Sequence, residues 1–132
     1  MRLLSSEDHR KFLLLVHLIF TVKYRKKLLI TYGDEVKAKM LEISTRSNFE
    51  IDTIEVDKNH IHLMVSYKPN ISVTQIVSKL KSETTHDLWS HHAPALSRHF
   101  WKKHTFWSPS YFACSVGNAS QETIRKYIEN QG

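Results

Sequence analysis

Residues that crosslink, kink or loosen a chain are scarce in this sequence, which has one cysteine, three prolines and three glycines among 132 residues. Because Cys114 has no second cysteine to pair with, a reducing, cytoplasmic setting is expected. Linkers, low-complexity segments and internal repeats are also lacking, so residues 1–132 are expected to form a single domain. The chain is too short for a (β/α)₈ barrel, which needs roughly 250 residues.

Long hydrophobic runs are missing as well. The most apolar stretch, residues 12–22, is shorter than the roughly 20 residues that a membrane-spanning helix needs, and a basic run follows it. No small-residue cleavage site precedes that run, so we expect neither a secretory signal nor a membrane partner. The stretch is rich in β-branched and aromatic residues, which predicts a long, largely buried strand over residues 12–24.

Acidic residues are in deficit. The chain has 13 Asp and Glu against 19 Lys and Arg, which gives a formal net charge of +6 with nine histidines counted as neutral. A small basic domain favours a polyanionic partner, most commonly nucleic acid. Charge alone does not exclude a soluble protein that merely has a basic surface.

Hydrophobic periodicity and turn residues predict the element order β-α-β-β-α-β-α. The predicted strands cover residues 12–24, 49–56, 60–67 and 111–116, and the predicted helices run from Thr31 to about Ser47, from Ser72 through Leu88 and over residues 119–131. Residues 92–109 are predicted as a loop with one helical turn. The first six elements match an α+β, ferredoxin-like βαββαβ sandwich, in which two helices cover one face of an antiparallel sheet.

His60 and His62 lie two residues apart on a predicted strand, so their side chains share one face. Their Cα atoms are roughly 6–7 Å apart, a spacing from which both rings reach one divalent cation. The alternate residues Ile61 and Leu63 point toward the helices, which leaves the pair on the open face of the sheet. Taken alone, the pair fits equally well with two surface histidines that have no role.

Other families with paired histidines are disfavoured by the neighbouring residues. Histidine-triad hydrolases continue with a third histidine, where this chain has Met64, and metallo-β-lactamase-like hydrolases need further His and Asp residues immediately downstream. A structural zinc site is disfavoured because Cys114 is alone. The remaining interpretation is a two-histidine metal site that takes one more ligand from elsewhere in the chain.

The predicted last helix carries a stripe of Ile124, Tyr127, Ile128 and Gln131 on one face. Periodicity alone indicates an amphipathic helix that covers a core. The stripe also pairs a phenol, which can act as a covalent nucleophile, with an amide oxygen suited to a hard cation such as Mg²⁺ or Mn²⁺.

Two segments interleave cations with aromatic rings, a combination that favours single-stranded nucleic acid because cations follow phosphates and rings stack on bases. The candidate DNA-binding residues are Lys23, Tyr24, Arg25, Lys26 and Lys27 in the first segment and Arg98, Lys102 and Lys103 in the second. A solvated strand end and a charged rim around an aromatic core are the alternatives. Trp107 and Phe112 are assigned to packing, and His17 and Cys114 to the core.

The sequence resembles the small single-strand-DNA transposases of the insertion-sequence 200/605 group, which carry a His-hydrophobe-His (HUH) motif and one catalytic tyrosine. The matching blocks are Val16-His17-Leu18-Ile19-Phe20, Lys23-Tyr24-Arg25-Lys26-Lys27, Asp57-Lys58-Asn59-His60-Ile61-His62-Leu63, Leu80-Lys81-Ser82, Phe106-Trp107-Ser108-Pro109-Ser110-Tyr111-Phe112, Val116-Gly117 and Ile124-Arg125-Lys126-Tyr127-Ile128-Glu129-Asn130-Gln131. Their joint order covers nearly the whole chain.

The resemblance implies a metal-dependent enzyme that cleaves and rejoins single-stranded DNA at hairpin-marked element ends through a 5′-phosphotyrosine. Tyr127 is then the nucleophile, carried on the extra C-terminal helix. His60, His62 and Gln131 bind Mg²⁺ or Mn²⁺, and Gly117 and Asn118 form a hinge. Members of the group are homodimers that recognise subterminal hairpins, and their active sites can be composite.

Two alternatives stay open. A domesticated relative would keep these residues and bind or nick hairpins without moving an element. A non-catalytic module would use the sheet as a stacking platform, as RNA-recognition domains do. The aromatic signature of those domains is absent, because His60, His62 and Met64 occupy the exposed strand face.

Overall fold

The computed structural model describes residues 14–115 and 128–129. Its four strands form one antiparallel sheet in the order β2-β3-β1-β4. The elements are β1 (Leu14–Thr21), α1 (Leu29–Thr45), β2 (Phe49–Val56), β3 (His60–Tyr67), α2 (Val73–Ser97) and β4 (Phe112–Ser115), with a short 3₁₀ turn at Lys23–Arg25. The predicted ferredoxin-like βαββαβ order is therefore confirmed.

One face of the sheet carries the hydrophobic core. The buried residues of the central strands pack with those of both helices, because alternate strand positions and one stripe of each helix are apolar. They include Val16, Leu18, Phe20, Ile61, Leu63 and Val65 from the strands and Val36, Met40, Ile76 and Leu80 from the helices. The other face of β1 and β3 is consequently turned away from α1 and α2.

The start of α1 differs from the sequence prediction. Thr31 was expected to cap the helix, but it lies inside α1, which begins at Leu29 without a side-chain cap. Two effects favour the longer helix. Leu28 and Leu29 are buried in the core, and the backbone N–H of Leu29 donates to the carbonyl oxygen of Lys58 at 3.0 Å, which satisfies a first-turn donor without a cap.

Helix α2 begins as predicted and ends later. Ser72 forms a capping box with Gln75, with reciprocal hydrogen bonds of 3.1 and 2.9 Å. The loop prediction is wrong over residues 92–97, which continue the helix past Pro94. Non-helical dihedrals at His92 (φ −134°, ψ 28°) absorb the kink, and burial of Leu96 holds the last turns against the core.

The chain between β2 and β3 forms the predicted tight turn, in which the N–H of Asp57 donates to the carbonyl oxygen of His60 at 2.9 Å. The predicted C-terminal helix, residues 119–131, lies outside the described residues except for Ile128 and Glu129. Within the described part of the chain, neither helix combines the length and apolar character needed to cross a bilayer.

Candidate metal centre and nucleic-acid interface

The predicted histidine pair lies on the sheet face turned away from the helices. Ile61 and Leu63 are fully buried on the helix side of β3, so strand alternation turns His60 and His62 to the opposite side. Their side chains are 13% and 19% exposed. Both imidazoles are therefore reachable by a small ligand but largely withdrawn from bulk water.

Asn59 orients the ring of His60. The Nδ1 atom of His60 lies 3.0 Å from Oδ1 of Asn59. An amide oxygen only accepts hydrogen bonds, so Nδ1 of the neutral ring carries the proton and Nε2 presents a lone pair. The Asp57 carboxylate stands 3.9 Å from that Nε2, beyond hydrogen-bonding distance.

The ring of His62 has a matching arrangement. Its Nδ1 atom lies 3.4 Å from Oε1 of Glu55, and a carboxylate oxygen accepts the Nδ1 proton. Its Nε2 atom lies 3.0 Å from Nδ1 of His17 on the neighbouring strand, which then acts as the donor. The Nε2 lone pair of His60 is thus open to a metal ion, whereas that of His62 accepts the hydrogen bond from His17 and becomes a ligand only when that bond breaks.

His17 and Cys114 were assigned to the core, and this prediction is wrong. Both are only partly buried, and His17 contacts His62, with ring centroids 5.2 Å apart, on the open face. Cys114 is the register partner of His17 on β4 and so shares that face. Apart from His17 and Thr21, the residues of β1 are apolar on both faces, so the sequence carries only a weak signal for which alternate set meets the helices.

Burial lowers the pKa of His60, of His62 and of His17, because each charged imidazolium would lose hydration. The positive charge of Arg25 lowers the pKa of His60 further, while the carboxylates of Asp57 and Glu55 act in the opposite direction on His60 and His62. The three rings are therefore neutral at pH 7, which is the form that binds metals.

A corner beside His60 contains a hydroxyl and a guanidinium group. Ile19, Thr21, Arg25, Asn59, His60 and Ile128 line one small pocket. Thr21 is the register partner of His60, is 4% exposed, and its hydroxyl has no hydrogen-bond partner among the described residues. The buried hydroxyl and the guanidinium thus flank one edge of the histidine pair, in a corner that has no room for a water molecule.

Consecutive left-handed residues divide the first basic segment between two sites. Tyr24 and Arg25 have φ values of 61° and 53°, a conformation that costs energy for residues with side chains. Arg25 lines the pocket at His60, whereas Tyr24 lies beside the ring of Phe100, with centroids 6.3 Å apart. The strained turn thus sends neighbouring side chains to the corner beside His60 and to an aromatic surface.

That aromatic surface joins the two predicted DNA-binding segments. It is a pocket lined by Lys23, Tyr24, His99, Phe100, Trp101, Lys102, Lys103 and Thr105. Tyr24 and Trp101 are 70% and 76% exposed, which is unusual for large aromatic residues unless they serve a binding surface. We call this set the aromatic pocket.

Buried hydrogen bonds hold the segment that carries the second half of this pocket. The Trp89 indole donates to the carbonyl oxygen of Thr105 at 2.8 Å, and the Trp107 indole donates to the hydroxyl of Thr84 at 2.9 Å. Trp107 is buried, as predicted, whereas Phe112 is only partly buried. Exposed rings are therefore mounted on a segment that is anchored to α2.

The remaining predicted site residues are not brought into these pockets. Lys26, Lys27 and Arg98 do not line the aromatic pocket. The predicted nucleophile, third metal ligand and hinge, namely Tyr127, Gln131, Gly117 and Asn118, lie outside the described residues. Sequence reasoning missed the contributions of His17, Thr21, Asn59 and Glu55. The available signal for the first two was that His17 and Thr21, four residues apart on β1, share one face of the strand.

These features, a ferredoxin-like sheet with paired histidines on its open face and a basic aromatic pocket beside it, fit a DNA-processing protein. The family model described as Transposase IS200 like matches residues 10–131. The chain therefore belongs to the IS200-like transposase family, a family of DNA-cleaving transposases.

Particular relatives can be named. ISDra2 transposase TnpA of Deinococcus radiodurans is 32% identical over 116 residues, which cover 87% of this chain and 81% of that protein. The transposase for insertion sequence element IS200 of Salmonella typhimurium is 24% identical over 130 residues, covering 96% and 82%.

Solved structures agree with the fold. A crystal structure from Deinococcus radiodurans R1, described as that of a candidate transposase, superposes with a TM-score of 0.80 at 30% identity and covers 91% of this chain and 92% of its own. A REP-associated tyrosine transposase bound to a REP hairpin superposes with a TM-score of 0.58 at 14% identity, covering 87% and 62%. At that identity the second likeness supports the fold alone.

Proposed function

We propose that this chain, as a single domain over residues 1–132, is a metal-dependent transposase that cleaves and rejoins single-stranded DNA at hairpin-marked element ends. The carrying observation is the pair of imidazoles of His60 and His62 that share the open face, with Asn59 and Glu55 beside their Nδ1 atoms. We further propose that it acts as a homodimer on DNA in the cytoplasm, with active sites that can combine residues of two subunits.

The donor set fits Mg²⁺ or Mn²⁺. His60 and His62 would hold the ion together with the amide oxygen of Gln131, which leaves positions for DNA oxygens. When bound, the ion supplies positive charge to a phosphate oxygen during phosphoryl transfer. Arg25, which is exposed at the edge of the adjoining corner, would contact the same phosphate from the other side.

Tyr127 is the proposed nucleophile. Its phenolate oxygen forms a bond to the 5′ phosphorus, the bond from phosphorus to the 3′ oxygen breaks, and that oxygen leaves as a free 3′-OH. The phenol gives up its proton in this step, and the leaving oxygen gains one. Because the phosphotyrosine ester retains the energy of the broken bond, a second 3′-OH can reverse the step and rejoin DNA without ATP.

The aromatic pocket supports a single-stranded substrate. Exposed rings stack on unpaired bases, and the adjacent lysines follow the phosphates. The Nζ atom of Lys23 lies 5.4 Å from the centroid of the Tyr24 ring, so a cation and a stacking ring are adjacent in this pocket. A base pair in a duplex would not offer its face to Tyr24 or Trp101.

The deciding experiment incubates the protein and Mg²⁺ with a hairpin-bearing single strand taken from the DNA that flanks its gene, followed by a denaturing gel. We expect a covalent protein–DNA adduct in wild type and in Tyr24→Phe, and none in Tyr127→Phe or with a duplex of the same sequence. An adduct that persists in Tyr127→Phe removes the proposed nucleophile. Binding without an adduct in wild type would instead favour the non-catalytic module.

A further inference from the structure

A second group of metal-binding side chains lies between the two helices. Glu35 extends from α1, while Asp87 and His91 stand four residues apart on α2 and therefore share one helix face. One oxygen or nitrogen atom from each of the three lies within 4.8 Å of the others. We call these three residues the helix cluster.

The two distances from His91 to the carboxylates of the helix cluster are longer than direct hydrogen bonds and close to the separation of two ligands on one ion. The Nδ1 atom of His91 lies 3.6 Å from Oε2 of Glu35 and 3.5 Å from Oδ1 of Asp87. Hydrogen bonds between nitrogen and oxygen usually measure 2.7–3.2 Å. A tetrahedral zinc ion with bonds of about 2.0–2.1 Å separates its ligand atoms by about 3.3–3.4 Å.

The other oxygen of Glu35 is already fixed. His92 Nε2 lies 2.7 Å from Oε1 of Glu35, and the His92 ring contacts Tyr32, with centroids 4.9 Å apart. Such a hydrogen bond to the second oxygen orients a ligating carboxylate. The break in α2 at His92 and the nearby Pro94 thus bring successive histidines to one glutamate.

The carboxylates lack the usual counterions. Glu35 and Asp87 are 34% and 20% exposed, and within residues 14–115 and 128–129 their ion pairs involve His91 and His92 but no Lys or Arg. Two partly buried carboxylates that face one another repel unless a cation neutralises them.

His91 can exchange its present contact for a metal. Its Nδ1 atom now donates to the backbone carbonyl oxygen of Asp87 at 2.9 Å. The side chain is 61% exposed, so its Nε2 atom is free to take the proton from water when Nδ1 becomes a ligand. The imidazole remains neutral throughout the exchange.

We propose that Glu35, Asp87 and His91 form a binding site for a first-row divalent cation of the zinc type, which clamps α1 to α2. One imidazole with two carboxylates and an open position for water is a ligand set that zinc accepts. The site lies on the helix side of the sheet, opposite His60 and His62, and does not depend on the proposed transposase chemistry. Its consequence is a more stable helix pair.

The test measures thermal unfolding of untagged protein with and without Zn²⁺ in a His60→Ala/His62→Ala background, which removes the histidine pair. At zinc concentrations about 100-fold above the dissociation constant, we expect the Tm to rise by about 10 °C. Asp87→Asn and His91→Gln should each remove most of that rise. Glu83→Gln is the matched control, because Glu83 also links α2 to α1, through Arg46, but lies outside the helix cluster.

Isothermal titration with Zn²⁺ gives a second readout that does not depend on unfolding. One site per chain is expected in the background protein and in Glu83→Gln, with affinity at least tenfold weaker in Asp87→Asn and His91→Gln. The proposal is overturned if zinc leaves the Tm of the background protein unchanged, or if the variants of the helix cluster bind zinc as tightly as the control.

Discussion

The two faces of strand β3 carry different kinds of side chain. Toward the helices, Ile61, Leu63 and Val65 are fully buried among apolar side chains. Toward the open side, His60 and His62 keep polar partners and lie in a half-buried setting that lowers their pKa values. Because successive residues of a strand point to different environments, β3 keeps its stabilising side chains apart from the proposed metal ligands.

The largest expected effects come from truncating one side chain on each face of β3. Leu63→Ala should lower the free energy of unfolding by about 2–5 kcal/mol, since it leaves a cavity in the core. His62→Ala should lower the rate of DNA cleavage by about 100-fold or more at saturating Mg²⁺ while changing stability far less. Urea unfolding and a cleavage assay on both variants measure the two effects.

Equal losses of stability in the two variants would contradict this division of roles. So would full cleavage activity in His62→Ala, provided that the variant protein shows the same cooperative unfolding as wild type. Leu63→Ala is expected to retain cleavage at temperatures where it remains folded.

The next effect concerns the aromatic pocket. Tyr24→Ala and Trp101→Ala should each weaken binding of single-stranded DNA by about 5- to 150-fold, because one stacked base is worth about 1–3 kcal/mol. Ile30→Ala is the matched control, since Ile30 is a large exposed apolar residue, 67% exposed, on α1. Fluorescence anisotropy at fixed salt measures the affinities. Unchanged affinity in both pocket variants would remove this surface from the DNA path.

The smallest expected effect is a pH dependence of stability that arises from Lys81, a partly buried lysine on α2. Its ammonium donates to the carbonyl oxygens of Ser108 and Ser110 at 2.7 and 3.1 Å, and burial lowers its pKa from 10.5 to about 8. Between these values the unfolded chain holds the proton and the folded chain does not, so the stability contributed by this group rises with pH.

Lys81→Met supplies the reference for this pH effect. As pH rises from about 8 to 10, the difference in free energy of unfolding between wild type and Lys81→Met should move in favour of wild type. Urea unfolding at several pH values measures that difference. A difference that stays constant over this range would contradict the lowered pKa.

Much of the fold followed from sequence because the signals were local. The capping box at Ser72, the turn after Val56 and the alternation in β3 each depend on neighbouring residues. The errors arose where distant contacts decide. Helix α1 begins before Thr31 because Leu28 packs in the core. Helix α2 continues past Pro94 because Leu96 is buried.

The candidate site was predictable only in part. The spacing of His60 and His62 gave the pair and its shared face, but the roles of His17 and Glu55 depend on strand register, which places them beside His62. That Tyr24 and Trp101 line one pocket likewise depends on tertiary contacts between segments far apart in sequence. Register and long-range packing are properties of the folded chain, and a single sequence carries weak signals for them.

The proposed function requires the imidazoles of His60 and His62 to hold a divalent cation on the open face. Paramagnetic Mn²⁺ tests it through NMR of the histidine rings, in an Asp87→Asn background that disables the helix cluster. We predict that substoichiometric Mn²⁺ broadens the ring signals of His60 and His62 first and leaves those of the exposed His86 and His104 sharp. Equal broadening of all four rings, or no broadening of the pair, would contradict the account.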